Sequence, residues 1–208
     1  MRLFNTITNV LILINAVFFV LAGIILYLNP DAVQYIALQP SAILHGKNLW
    51  TFITSMFMHG GLGHLAVNMI SLAFLGNFIE RVIGKKRFLY FYLASGIFAG
   101  IFFVLLALIF NMDLNTYAVG ASGALFGLAG LLAVLFPKLR VLVFFVIPMP
   151  MWLAAFFLLA VLWLVSLSAG LPIGNTAHLG GLILGLIYGF YLRSKHGRKI
   201  KMLNRMIT

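Results

Sequence analysis

Four residues in this 208-residue chain have types and settings that suit covalent chemistry: Ser122, His178, His64 and Asn68. Ser122 lies in Gly120-Ala121-Ser122-Gly123, just inside a long apolar segment, and the other three also sit inside apolar segments. Polar side chains at such depth are costly, so they face a protein interior or a wet cavity and serve a function there. A serine hydroxyl is a weak nucleophile at neutral pH and needs an adjacent base. His178 is the candidate base. Backbone donors at the start of the Ser122 helix, with His64 and Asn68, are candidates to stabilise an oxyanion. Together these are the parts for peptide-bond hydrolysis. The acidic residues are Asp31, Glu80 and Asp113, none of them placed to complete a triad, so a Ser–His dyad is expected.

The elements that must carry these residues follow from composition. The chain is 63% hydrophobic and 8% charged, which marks a polytopic membrane protein. A span needs about 20 apolar residues, so about six spans fit and no separate soluble domain does. The expected fold is all-α, a single membrane domain over 1–208. The spans are drawn at about 8–28, 62–80, 88–110, 119–136, the later part of 141–168, and 176–192. Pro148 and Pro150 split the fifth stretch, placing a short membrane-skimming piece before the helix. The first apolar run reads as a retained helix rather than a signal peptide. A long first outer loop at about 29–61 carries Tyr35, Trp50, Phe52 and Phe57, an interfacial composition. A short Gly/Pro-rich connection at about 169–175 has the make-up of a mobile cover.

Charge sets the orientation. Of the 14 basic residues, all but Lys47 fall on one side of a six-span layout: Arg2, the Arg81–Arg87 group, Lys138 and Arg140, and the basic tail from about 193. Both termini are therefore expected in the cytoplasm of a cell-membrane protein. The net charge of +11 is then a topology signal beside anionic lipid, and no nucleic-acid partner is expected. Spans two, four and six run inward, which puts His64, Ser122 and His178 within about one helical turn of the same depth. Asn68 lies one turn below His64 on the same face. Gly181, Gly185 and Gly189 on span six, and Gly123 and Gly127 on span four, would let those helices touch.

Each residue also has a plain structural reading. Serine and glycine are common packing residues in membrane helices. His64 and Asn68 could brace the second span, and His59 reads first as structural. His45 and His196 fall in a loop and in the basic tail. Glu80 beside Arg81 reads as a helix-end cap and charge pair. There is no cysteine, no HExxH and no acidic residue at mid-span, so neither metal nor cofactor is expected. A small transporter would show inverted repeats and midplane ion ligands, and neither stands out.

Three motifs occur in order on spans two, four and six: His59-Gly60-Gly61-Leu62-Gly63-His64 followed by Asn68, then Gly120-Ala121-Ser122-Gly123, then Ala177-His178 followed by Gly181 and Gly185. With them the chain resembles the rhomboid intramembrane serine proteases over nearly its whole length. The resemblance implies Ser122 as nucleophile, His178 as base, and His64, Asn68 and the Ser122 amide as the oxyanion site. It implies supporting places for His59, Gly120, Gly123, Phe126, Gly181 and Gly185. The implied partners are the lipid bilayer and transmembrane protein substrates, cut near the membrane surface; the oligomeric state stays open. A catalytically silent relative that binds or chaperones membrane segments is the alternative, and it would be expected to lack Ser122 or His178. Two positions depart from the family pattern. Trp50 is followed by Thr51 rather than arginine, which removes an arginine brace from the first loop. Phe126 stands where the family often has tyrosine, keeping the ring and losing the hydroxyl.

Overall fold

In the computed structural model, residues 5–144, 146–169 and 174–207 are described. Arg2 and residues 170–173 of the expected cover lie outside them. The protein is mostly helical. The first helix, α1 (Ile7–Leu28), begins at Thr6, whose hydroxyl accepts from the Asn9 amide. Its other free amides find a distant partner. Glu80 accepts from the Ile7 amide (2.9 Å), the Thr8 amide (2.9 Å) and the Thr8 hydroxyl (2.8 Å). A carboxylate at a helix N-terminus satisfies orphan donors and complements the helix dipole. Glu80 is thus a cap, but for α1 rather than for its own helix.

Residues 29–61, expected as a long loop, are built of a 3₁₀ helix (Pro30–Tyr35) and two short helices, α2 (Pro40–Leu44) and α3 (Thr51–Thr54). Prolines start the first two, where a missing amide costs nothing. Side chains stitch this segment together. Asn48 Nδ2 donates to the Gln34 carbonyl, Trp50 Nε1 to the Tyr35 carbonyl and Thr54 Oγ1 to the Ile36 carbonyl, at 2.8–2.9 Å. Thr51, where the family pattern has arginine, is buried and donates to the Asn48 carbonyl at 2.7 Å.

The second span runs Leu62–Ile83 as α4 (Leu62–Ser71), a π-helical turn (Leu72–Gly76) and α5 (Asn77–Ile83). Next come α6 (Lys85–Phe110), ending on a left-handed Asn111, and α7 (Ser122–Leu135). The last two helices are α8 (Met151–Ala169) and α9 (Asn175–Ile207). Among the described residues, four helices are long and apolar enough to cross a membrane: Ile7–Leu28, Leu62–Ile83, Lys85–Phe110 and Met151–Ala169. The helix α7 has 14 residues, about 21 Å. Every residue of it after Ser122 is buried, so it is the centre of the bundle.

The second half gives form to two segments whose structure the sequence left open, and α8 starts directly after Pro150 as expected. The piece before Pro150 is an antiparallel hairpin of β1 (Arg140–Val143) and β2 (Ile147–Pro150), pairing Arg140 with Pro150 and Val143 with Ile147. Among the described residues the fold is therefore helical with one small hairpin. Branched apolar residues favour the strand, and a two-stranded sheet has only edges, where proline is tolerated. The sixth span, drawn to end near 192, is the start of a helix that continues through the basic tail, with a break in helical geometry at His196.

The helices α7 and α9 pack backbone to backbone. A Cβ on Gly181 would strike the Gly123 carbonyl oxygen, and one on Gly185 the Gly127 carbonyl oxygen. A Cβ on Gly130 would lie 2.5 Å from the Leu182 carbonyl oxygen. The two glycine faces meet as their spacing predicts, because small residues allow close approach where lipid gives no hydrophobic drive.

Candidate active site

Ser122 opens α7, and the chain leading to it is pinned from outside. Ala118 pairs with Leu38 in an isolated antiparallel bridge, and the Gly120 amide donates to the Ser55 carbonyl at 2.9 Å. Gly120 has φ +115°, a conformation that favours glycine. The first amides of α7, beginning with that of Ser122 itself, have no carbonyl one turn back within the helix, as at any helix start.

His178 stands in the first turn of α9, its amide donating to the Gly174 carbonyl. Because α7 and α9 touch, His178 Nε2 lies 2.7 Å from Ser122 Oγ, across 56 residues of sequence. The imidazole is 5% exposed and stacks on Phe126, centroids 4.7 Å apart at 24°. Phe126 is one turn after Ser122, so one helix presents both the hydroxyl and the ring that holds its partner. Among the described residues no group pairs with His178 Nδ1, and no carboxylate completes a triad.

His64 reaches the same place from α4. A Cβ on Gly120 would lie 2.8 Å from His64 Cε1 and Nε2, and 3.7 Å from Ser122 Oγ. The His64 ring and the Ser122 hydroxyl thus flank one bare glycine. His64 is exposed and Ser122 partly so, which leaves this side open. His59 meets His64 edge to face, centroids 5.1 Å apart, and its Nδ1 donates to the Phe57 carbonyl at 3.2 Å. Burial, and then the neighbouring His64, lowers the His59 pKa to about 4. Asn68 is buried one turn below His64, and its Nδ2 donates to the His64 carbonyl at 2.8 Å. That bond ties Asn68 to the turn that carries His64.

Gly123 and Gly181 form the seam beside the pair, and Gly185 continues it inward. The third wall, α6, escaped the sequence reading. A Cβ on Gly123 would lie 2.7 Å from Ala99 Cβ, and one on Gly127 would lie 2.5 Å from Ser95 Oγ. The signal was present: Ser95-Gly96 and Ala99-Gly100 repeat small residues at spacing four along the third span. His45 donates from Nδ1 to the Ser41 carbonyl on the exposed outer segment, away from this site. Among the described residues, no three His, Cys, Asp or Glu side chains converge.

Residues 46–195 match the family model described as the Rhomboid domain. The chain belongs to the rhomboid family. It is 34% identical over 146 residues to "Rhomboid protein 1, mitochondrial" of Saccharomyces cerevisiae, covering 68% of this chain and 41% of that protein. It is 36% identical over 165 residues to "RHOMBOID-like protein 1" of Arabidopsis thaliana, covering 77% and 39%. It is 32% identical over 157 residues to "Rhomboid protease GluP" of Bacillus subtilis, covering 74% and 28%. This rhomboid chain therefore spans less than half the length of each of these relatives. The matched stretch contains Ser122, His178, His64 and Asn68, and it begins about midway through the outer segment.

Proposed function

We propose that this rhomboid protein is an intramembrane serine endopeptidase, a single six-span domain over 1–208 that cuts transmembrane segments of other proteins. One observation carries the reading: Ser122 Oγ and His178 Nε2 lie 2.7 Å apart, from two different helices. With its proton on Nδ1, His178 accepts the Ser122 proton at Nε2 as Oγ attacks the peptide carbonyl. The tetrahedral oxyanion forms beside the start of α7. There the Ser122 amide and the His64 ring supply donors, and Asn68 holds the His64 turn. His178 then protonates the leaving amine and an acyl-enzyme remains. Water entering from the open His64 side gives a proton to His178 and attacks the ester carbonyl; as the acyl–Oγ bond breaks, His178 returns that proton to Ser122 Oγ, which restores both residues and releases the acid product. Cofactor and metal have no step in this scheme.

The six-span layout adds α7 and the first part of α9 to the four long helices. Its support is the burial of α7, the length of α9 and the one-sided basic charge. In that layout the termini face the cytoplasm, the protein sits in the cell membrane, and the Ser122 layer lies toward the outer side. The test is cleavage of a transmembrane substrate by the purified protein. Wild type cuts, and Ser122→Ala and His178→Ala both fall to background. A silent, segment-binding rhomboid would bind the same substrate and leave it whole.

A further inference from the structure

The basic tail is built as a surface rather than left as a loose charge cluster. Gly189 packs on Val134, and Asn204 Nδ2 donates to the Leu135 carbonyl at 2.7 Å. A straight helix would carry those two positions about 22 Å apart. Both instead meet the last turn of α7, so α9 turns at His196 and its final segment crosses beneath α7. Ile200 and Leu203 face the core on that crossing, with Ile200 8% exposed. The opposite face carries Arg198, Lys201, Met202, Arg205 and Met206, at helical spacing i, i+3, i+4, i+7 and i+8. These five side chains line an open groove of about 360 Å³.

Three features identify what fits this face. The first is charge: it presents three cations, and the chain has no acidic residue after Asp113 to neutralise them. The second is depth. Twenty residues of α9 from Asn175 cover about 30 Å, one hydrocarbon thickness, so the turn at His196 falls at a headgroup layer. The third is the pair of methionines between the cations, Met202 at 56% and Met206 at 76% exposure. A free polyanion would satisfy the cations and leave both methionines in water. A bilayer leaflet offers phosphates to the cations and acyl chains to the methionines.

We infer that the segment 197–207 is an interfacial helix whose Arg198, Lys201, Met202, Arg205 and Met206 face binds anionic phospholipid of the adjacent leaflet. Through Asn204 this bound helix is fastened to the last turn of α7, the helix that carries Ser122 at its other end. The inference concerns binding and stands whether or not the protein cuts substrate.

The experiment is native mass spectrometry of the full chain in neutral detergent. It is titrated with short-chain phosphatidylglycerol or with phosphatidylcholine of the same chain length. Wild type is expected to favour phosphatidylglycerol by at least tenfold. Replacing Arg198, Lys201 and Arg205 together by glutamine should weaken that binding by at least tenfold and on the order of a hundredfold, since each basic residue near an anionic surface contributes roughly fivefold. Phosphatidylcholine binding should stay unchanged. If the triple variant does not fold, Met202→Ser with Met206→Ser decides: phosphatidylglycerol binding drops severalfold, because the acyl contact is lost. Equal binding of the two lipids by wild type would overturn the inference. So would full retention in either variant, or displacement of phosphatidylglycerol by equimolar inorganic phosphate or a short RNA.

Discussion

At the scale of the residue, Gly120 decides whether Ser122 and His64 can share one site. Its φ of +115° disfavours a side chain, and a methyl there would lie 2.8 Å from the His64 ring. Gly120→Ala is expected to fold, to displace His64, and to lower turnover by about 10²–10³-fold, the usual effect of losing one oxyanion donor. Substrate binding should change little, which a comparison of kcat with KM would show. Phe126 holds His178 by stacking, a contact worth about 0.5–1.5 kcal/mol between aromatic rings. Phe126→Ala should therefore slow cleavage severalfold while Phe126→Tyr preserves it. His59 has its pKa lowered to about 4, so the folded protein holds fewer protons than the unfolded chain below the ordinary value of 6.5. Stability from this group is full above that value and declines as pH falls toward 4. Thermal midpoints in detergent should drop over that range, and His59→Asn should flatten the slope. Residue types and depth made Ser122, His178 and His64 legible in the sequence. The bond from Asn68 to the His64 carbonyl was not, because an amide rotamer answers to its local backbone.

At the scale of the element, the contact between α7 and α9 leaves no room for a Cβ at Gly181 or Gly185. Overpacking a tight core costs about 1–3 kcal/mol where side chains can yield, and here the obstacle is backbone. Gly181→Val is expected to separate the helices, with loss of both cleavage and thermal stability. The spacing-four pattern made this seam readable. The cap on α1 was not readable, since Glu80 reaches Thr8 across 72 residues and local pattern sees only Arg81 beside it. Glu80→Ala leaves the buried amide and hydroxyl of Thr8, and the half-buried amide of Ile7, without their acceptor. Each unmet buried donor costs about 1–3 kcal/mol, so a large fall in melting temperature is expected, with Glu80→Gln intermediate. The β1–β2 hairpin escaped for another reason. A short apolar run beside two prolines fits a strand, a skimming helix or a loop equally well until its partner strand is known.

At the scale of the whole molecule, a short buried α7 stands inside longer helices and carries the serine near one end. Composition was enough to read a helical membrane protein, while the orientation read from the lopsided basic charge is a prediction. The turn of α9 at His196 and the helical build of residues 29–61 were not readable, because both depend on tertiary partners such as Leu135 and Ala118. Reporter fusions should place both termini on the basic side, and a terminus on the other side would undo the matched depth of His64, Ser122 and His178. The central claim is that His178 activates Ser122 as a nucleophile. The most direct measurement is mass-spectrometric mapping of the adduct left by a fluorophosphonate on the purified protein. The account predicts one modification on Ser122, absent from Ser122→Ala and reduced to background in His178→Ala. Full labelling of Ser122 in His178→Ala, or an adduct on another residue in wild type, would contradict it.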